Sequence, residues 1–252
     1  MARIDTLGHF LTDVADAIRE KKGTEETIVA SDFDTEIENL PSGGGADLSD
    51  YFTDTVVGNT NNRKSFPQQI IKQMDNITID THGEYSLFNC SNLVSATNIK
   101  VSSNITSLLA AFQNCTSLKN VSIDIYGQGA RVTSLNYMFQ HCSSLVNAPN
   151  LEFTWAYSID YMFSGCTSLI NLGVYNFSYV RSATGIFNNC TNLTNDSLNN
   201  LLATCISGTN INNKTLTYLF GNQDMSQYYP ASTIQSLPNY QAFIDAGWTI
   251  GW

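Results

Sequence analysis

The sequence predicts an α/β repeat fold: a leucine-rich-repeat solenoid with short parallel strands, preceded by a small α-helical module. Three observations carry this expectation. A Phe-x-x-Cys-[Ser/Thr]-[Ser/Asn]-Leu motif occurs four times after a first copy that reads Phe88-Asn89-Cys90-Ser91-Asn92-Leu93, the five cysteines lie 25, 27, 24 and 24 residues apart, and an amphipathic N-terminal stretch ends in a run of glycines. A period of this size falls within the roughly 20–29 residues of a leucine-rich repeat and below that of helical-hairpin repeats.

The N-terminal module is predicted over residues 1–40. Ile4, Leu7, Leu11, Val14 and Ile18 recur at alternating steps of three and four, which places them on one face of a helix. Lys21, Lys22 and Gly23 supply a favourable last-turn charge and a stop. Ser31 is placed to cap a second short helix that carries Phe33, Ile37 and Leu40 and ends before Pro41. The apolar face of the first helix is a candidate docking surface. Its two heptads are compatible with a coiled coil, a homotrimer among the options, but fall short of the three or four that specify one, which favours an intramolecular helical hairpin or a helix docked on a neighbour. Residues 41–47, glycine-rich, read as a linker.

Residues 48–86 are predicted to form the N-terminal cap of the repeats and residues 87–193 the repeats themselves. Leu118-x-x-Val121-x-Ile123 and Leu169-x-x-Leu172-x-Val174 have the spacing of a short strand whose alternate residues point inward, so each repeat is expected to add one strand to a parallel sheet. Upstream, Leu135-x-x-Met138-Phe139, Ile159-x-x-Met162-Phe163 and Ala183-x-x-Ile186-Phe187 have helical spacing, so a short helical turn is expected on the opposite face. Residues 194–252 read as the C-terminal cap. They open with a helical pattern over Asp196–Cys205 and close on Trp248 and Trp252, which a soluble chain shields from water.

Composition narrows the function. The chain has 22 Asp and Glu against 12 Lys and Arg, a formal charge of −10. That balance argues against binding nucleic acid or an anionic membrane, both of which rest on clustered basic residues. Cys90, Cys115, Cys142, Cys166 and Cys190 occur once per repeat, without Cys-x-x-Cys or paired-histidine spacing. They are expected to form a buried ladder of structural thiols rather than a metal site. His9, His82 and His141 are scattered, and His141 occupies a turn position held elsewhere by Asn or Gly. No catalytic residue, cofactor or metal is therefore expected, and the chain reads as a binding protein rather than an enzyme.

Superposing the repeats on their phenylalanines puts Trp155 over Tyr179 and Phe153 over Phe177, with Tyr157 and Tyr175 nearby. Trp155, Tyr157, Tyr175 and Tyr179 are the candidate ligand surface, and Phe153 with Phe177 the candidate core pair.

The segments Tyr137-Met138-Phe139-Gln140-His141-Cys142-Ser143-Ser144-Leu145, with Pro149, and Tyr161-Met162-Phe163-Ser164-Gly165-Cys166-Thr167-Ser168-Leu169 resemble the BspA-like leucine-rich repeats. That family includes bacterial surface adhesins and phage tail proteins. Ala15–Thr24 with Ile28 and Asp32–Ile37 is similar to an N-terminal module of tail and baseplate proteins of phages infecting Gram-positive bacteria, and Ala246–Ile250 to a C-terminal cap in the same phages. The resemblance implies a virion component of the tail or baseplate, of tail-fibre or accessory type. It would be made in the host cytoplasm, dock to other tail proteins through residues 1–40 and present its repeats to a host-envelope glycan or protein. Met1–Lys22 lacks the pattern of a secretory signal, which an adhesin of this family would need. The alternatives are such an adhesin and a depolymerase acting on wall polysaccharide, which would need acidic residues gathered on one face.

Overall fold

The computed structural model describes residues 56–57, 73–75, 77–79, 83–127 and 129–252. The expected helical module, its docking residues Ile4, Leu7, Leu11, Val14 and Ile18, the linker, His9 and His82 lie outside the described residues.

Parallel pairing begins at β1 (Val56–Val57), which pairs with β3 (Thr78–Ile79). β2 (Gln73–Asp75) and β3 lie end to end along one side of β4 (Ser95–Val101), and β5 (Asn120–Asp124) lies on its other side. Gln73 faces Ser95, which faces Asn120, so the residues paired across the sheet are those one repeat apart in the chain. Beyond β5 the strand pairing contracts to single parallel bridges. One column runs Ser107, Ser134, Ser158, Ser182; another joins Asn147 to Asn171. The expectation of one strand per repeat therefore needs correction for the later repeats. Their lower segments carry Pro149, which has no N–H to give to a ladder, and Gly173, which packs no side chain. Val174 shows the consequence: expected to point inward, it is 58% exposed, while Leu172 and Tyr175 turn in instead.

The expected short helical turn is also replaced. In the third repeat the N–H groups of Leu135, Tyr137, Phe139 and His141 donate to carbonyls of the next repeat, whereas Met138, Gln140 and Cys142 donate three residues back within their own turn. Alternating the two destinations satisfies these buried backbone groups without an α-helix. It requires two left-handed residues four apart: Tyr137 and His141 here, Ala110 and Asn114 before, Tyr161 and Gly165 after. The double turn buries residues at i, i+3 and i+4, the same periodicity that a helical turn gives, so sequence spacing alone does not separate the two.

This wiring stacks identical side chains. Phe112, Phe139, Phe163 and Phe187 lie ring over ring, with centroids 5.1, 5.5 and 5.9 Å apart and near-parallel planes. Three residues on, the thiols of Cys142, Cys166 and Cys190 donate to the carbonyls of Phe112, Phe139 and Phe163 at 3.1–3.2 Å. The Cys115 thiol does the same at Leu87. Leu87, not Phe88, is thus the first-repeat member of the phenylalanine column, and Phe88 is only half-buried. The column also continues past the fifth repeat: Phe220 packs against Phe187 at 6.1 Å. Thr215 and Thr249 form a last parallel bridge, so residues expected to be cap extend the ladder.

α1 (Asn195–Ser207) follows the fifth cysteine where a further strand would lie. The Thr194 side chain accepts from the Ser197 N–H and Asp196 sits in the first turn, both favourable at a helix N-terminus. Ser197, Asn200, Thr204 and Ser207 recur at steps of three and four on one face. Their side chains meet the backbone of the fourth repeat: the Leu172, Tyr175 and Phe177 N–H groups donate to the hydroxyls of Ser197, Thr204 and Ser207, and Asn200 donates to the Leu172 carbonyl. The helix closes the edge by side-chain hydrogen bonds in place of a strand. Thr204→Val keeps the shape and leaves the buried Tyr175 N–H unpaired, so it is expected to lower stability by about 1–3 kcal/mol in urea unfolding, with Thr204→Ser close to wild type. A loss confined to Thr204→Ser, with Thr204→Val close to wild type, would show that the methyl group, not the hydroxyl, is what the site needs.

α2 (Leu216–Leu219), α3 (Ala231–Gln235) and α4 (Tyr240–Asp245) complete the C-terminal end. Trp248 is buried against Phe243, and Trp252 packs edge-on to Phe220 while its indole donates to the Tyr229 carbonyl. One continuous apolar core runs from Met74 to Ile250. Among the described residues no helix is long and apolar enough to cross a membrane.

Candidate functional site

The candidate surface lies on the segment between the lower strand position and the serine column. Tyr157 N–H donates to the Thr133 carbonyl and Arg181 N–H to the Tyr157 carbonyl, both at 2.9 Å, which fixes these three residues in one column. Arg131, Trp155 and Tyr179 stand two residues earlier in each repeat. Between the columns Val132, Ala156 and Val180 point into the core. An inward residue flanked by two outward ones repeats on three successive rungs, about 4.8 Å apart if the spacing is that of paired strands.

Trp155, Tyr157 and Tyr179 are 41, 44 and 57% exposed. Large rings held in water by a rigid ladder are the residue types that carry recognition. Tyr175, assigned to the same surface from the sequence, does not belong to it. It is 4% exposed and packs on Phe153 at 5.4 Å, and its hydroxyl donates to the Pro149 carbonyl. Burial pushes that phenol above its ordinary value. The Tyr175 N–H donates to the hydroxyl of Thr204 in α1, which leaves the ring on the inward side. Phe153 and Phe177 pack in the core with centroids 5.6 Å apart.

Two further residues belong to the surface and were missed from the sequence. The Arg131 guanidinium carbon sits 5.2 Å from the Trp155 ring centre and that of Arg181 5.3 Å from Tyr157. The repeat period identifies both, since Arg131 precedes Trp155 by 24 residues and Arg181 follows Tyr157 by 24. Cation–π contacts at exposed sites contribute on the order of 0.5–1 kcal/mol each. They also hold the guanidinium groups over the rings rather than free in solvent. Beneath the patch, the Tyr126 hydroxyl donates to the Val132 carbonyl, and burial raises that phenol to about 12.

The cysteines of the repeats are fully buried and free, as is Cys205 in α1. Burial raises the Cys142, Cys190 and Cys205 thiols and takes Cys166 to about 12, and the Cys90 thiol is raised chiefly by its hydrogen bond with Cys115. A thiol so placed is a poor nucleophile. Their hydrogen bonds to the column of carbonyls give them a polar role that the sequence reading, which took them as small hydrophobes, did not contain.

Carboxylates elsewhere in the repeats join neighbouring rungs or line a cleft. Asp160 accepts from the Ser182 hydroxyl and the Thr184 N–H, both at 2.7 Å, and so joins repeats. Asp124 and Glu152 line an open cleft of about 420 Å³ beside β5, where Asp124 accepts from the Gly127 N–H. Among the described residues no three His, Cys, Asp or Glu converge as metal ligands.

The curated proteins and the solved structures contain no match to this chain. Residues 82–201, which carry the stacked phenylalanines, the thiol column and the exposed aromatic patch, are similar to the family described as Mycoplasma protein of unknown function, DUF285.

Proposed function

We propose that this chain is a leucine-rich-repeat solenoid that serves as a binding component of a virion, of tail-fibre or accessory type in the tail or baseplate. Its repeats contact the host envelope, and residues 1–40 dock it to neighbouring tail proteins. The observation that carries the binding role is the in-register patch of Trp155, Tyr157 and Tyr179, exposed on consecutive repeats. The solenoid reading rests on backbone hydrogen bonds that join equivalent residues one repeat apart, as from Phe112 to Met138 and from Phe139 to Met162. The virion reading rests on the similarity of Ala15–Thr24 and Ala246–Ile250 to modules of phage tail proteins. No enzymatic step is assigned, and the chain binds without cofactor or metal.

Two measurements test the proposal. Mass spectrometry of purified virions from the producing host is expected to find the chain in stoichiometric amount; recovery from cell-wall fractions alone would point to an adhesin instead. Changing Trp155 and Tyr179 together to Ala is expected to reduce adsorption to host cells at least tenfold with the far-ultraviolet circular dichroism unchanged, because both side chains are exposed. Unaltered adsorption would remove the patch from the binding role.

A further inference from the structure

We infer that the patch takes an acidic polysaccharide, its sugar rings stacking on Trp155, Tyr157 and Tyr179 and its carboxylate groups pairing with Arg131 and Arg181. The inference rests on the reading of this patch as the binding surface and adds the chemical class of the ligand.

Charge distribution is the first argument. Acidic residues outnumber basic ones in this chain by 22 to 12, yet the only two arginines among the described residues, Arg131 and Arg181, both stand on the patch. They occupy opposite corners of a grid of three rungs by two columns: Arg131 beside Thr133, Trp155 beside Tyr157, Tyr179 beside Arg181. A chain with this overall charge repels anions at long range. Placing its arginines on the exposed aromatics relieves that repulsion at one location. A guanidinium presents a planar fork of donors that matches a carboxylate, and lying against a ring it loses less freedom when it forms the pair.

Shape is the second argument. The rings are exposed, and between their columns Val132, Ala156 and Val180 are buried in the core and occupy the space an apolar anchor would enter. A protein anchor wants a pocket. The apolar face of a sugar needs only a flat ring, and its hydroxyls need short polar partners. Thr154 and Ser178 directly precede Trp155 and Tyr179 in the chain, and Thr133 stands in the Tyr157 column, so short polar side chains lie next to the rings in sequence and register. The two arginines stand two rungs apart, about 10 Å along the stack by strand spacing, so a linear polymer with regularly placed charges spans both.

The test uses the full chain with polygalacturonate as the carboxylated probe, dextran as the neutral one and a poly(glycerol phosphate) as the phosphate one. Polygalacturonate is expected to bind and dextran to bind at least tenfold more weakly. Arg131→Met with Arg181→Met is expected to weaken polygalacturonate at least tenfold more than it changes dextran, and Trp155→Ala with Tyr179→Ala is expected to abolish both. Equal affinity for polygalacturonate and dextran, or an arginine double variant that binds like wild type, would overturn the acidic-glycan inference. Tighter binding of the phosphate polymer than of polygalacturonate would overturn the carboxylate assignment. Host adsorption that needs Trp155 and Tyr179 but survives periodate treatment of the cells would also overturn the inference and identify a protein partner, with the patch itself retained as the binding surface. Adsorption indifferent to Trp155 and Tyr179 would instead remove the underlying reading.

Discussion

Raising the pH from 9 to about 10 is expected to reduce the folding stability of this chain by about 5 kcal/mol, a large part of the stability of an ordinary domain. The thiols of Cys90, Cys142, Cys166, Cys190 and Cys205 are fully buried and shifted upward, Cys90 mainly through its hydrogen bond with Cys115 and the others mainly through burial. In the unfolded chain each ionises near the ordinary thiol value of 9.0, whereas in the folded chain Cys166 holds its proton to about 12. The neutral thiols therefore contribute their full stability below pH 9, and that stability is lost as the pH climbs toward the folded values. Each thiol that stays protonated in the core costs about 1 kcal/mol over the first unit above the unfolded pKa, where the unfolded thiols are only partly ionised, and about 1.4 kcal/mol per unit beyond it. Urea midpoints at neutral pH, at pH 9 and at pH 10, under reducing conditions, give the slope directly, and thiolate absorbance should rise only with unfolding. Cys166→Ala should make the slope shallower by about one proton's worth. A midpoint that does not move between pH 9 and pH 10, or thiolate absorbance in the folded chain, would show that these sulfurs are not held neutral by the core.

The thiol column is also where the sequence was most legible. A cysteine every 24–27 residues, three positions after a large apolar residue, is a statement about a ladder, because only side chains in equivalent places recur at a fixed period. The same offset identifies Leu87, three before Cys90, as the first-repeat partner of Phe112. Matching the letter Phe instead of the offset put Phe88 there. Phe220 was hidden for the opposite reason. Leu216-x-x-Leu219-Phe220 keeps the apolar spacing but no cysteine follows, and the Tyr229 hydroxyl bridges the Cys190 carbonyl and the Leu193 N–H near that end of the column. The conformation of the turns was not legible, since a double turn with left-handed residues at Tyr137 and His141 buries the same positions as a helical turn. Of the surface, Trp155, Tyr157 and Tyr179 follow from strand alternation in register. Tyr175 breaks that alternation because its N–H is held by a helix almost thirty residues later in the chain, at Thr204, a contact that local periodicity does not encode.

Phe163→Ala is expected to lower stability by about 3–5 kcal/mol, the range for emptying a buried aromatic site. Phe163 is fully buried between Phe139 at 5.5 Å and Phe187 at 5.9 Å, with both neighbouring planes within a few degrees of its own. Its removal takes away two ring contacts, each worth on the order of 0.5–1.5 kcal/mol beyond the buried area. The repeats above and below cannot close the gap, because the backbone of each is tied to the next: Phe163 N–H donates to the Ile186 carbonyl and the Cys190 thiol donates to the Phe163 carbonyl. A ladder held at fixed rung spacing keeps its cavity, which puts the loss toward the upper part of that range. Phe163→Leu gives the contrasting case. Leu87 fills the same column position in the first repeat and keeps the same backbone and thiol bonds, so a leucine there fits the local backbone. Its expected loss is about 1–1.5 kcal/mol, set by the smaller volume. Urea unfolding of both variants decides between this account and one in which the stacked rings are incidental. If leucine proves as damaging as alanine, the parallel ring faces themselves stabilise the column; if neither variant moves the midpoint, the phenylalanine stack is not what holds the repeats in register.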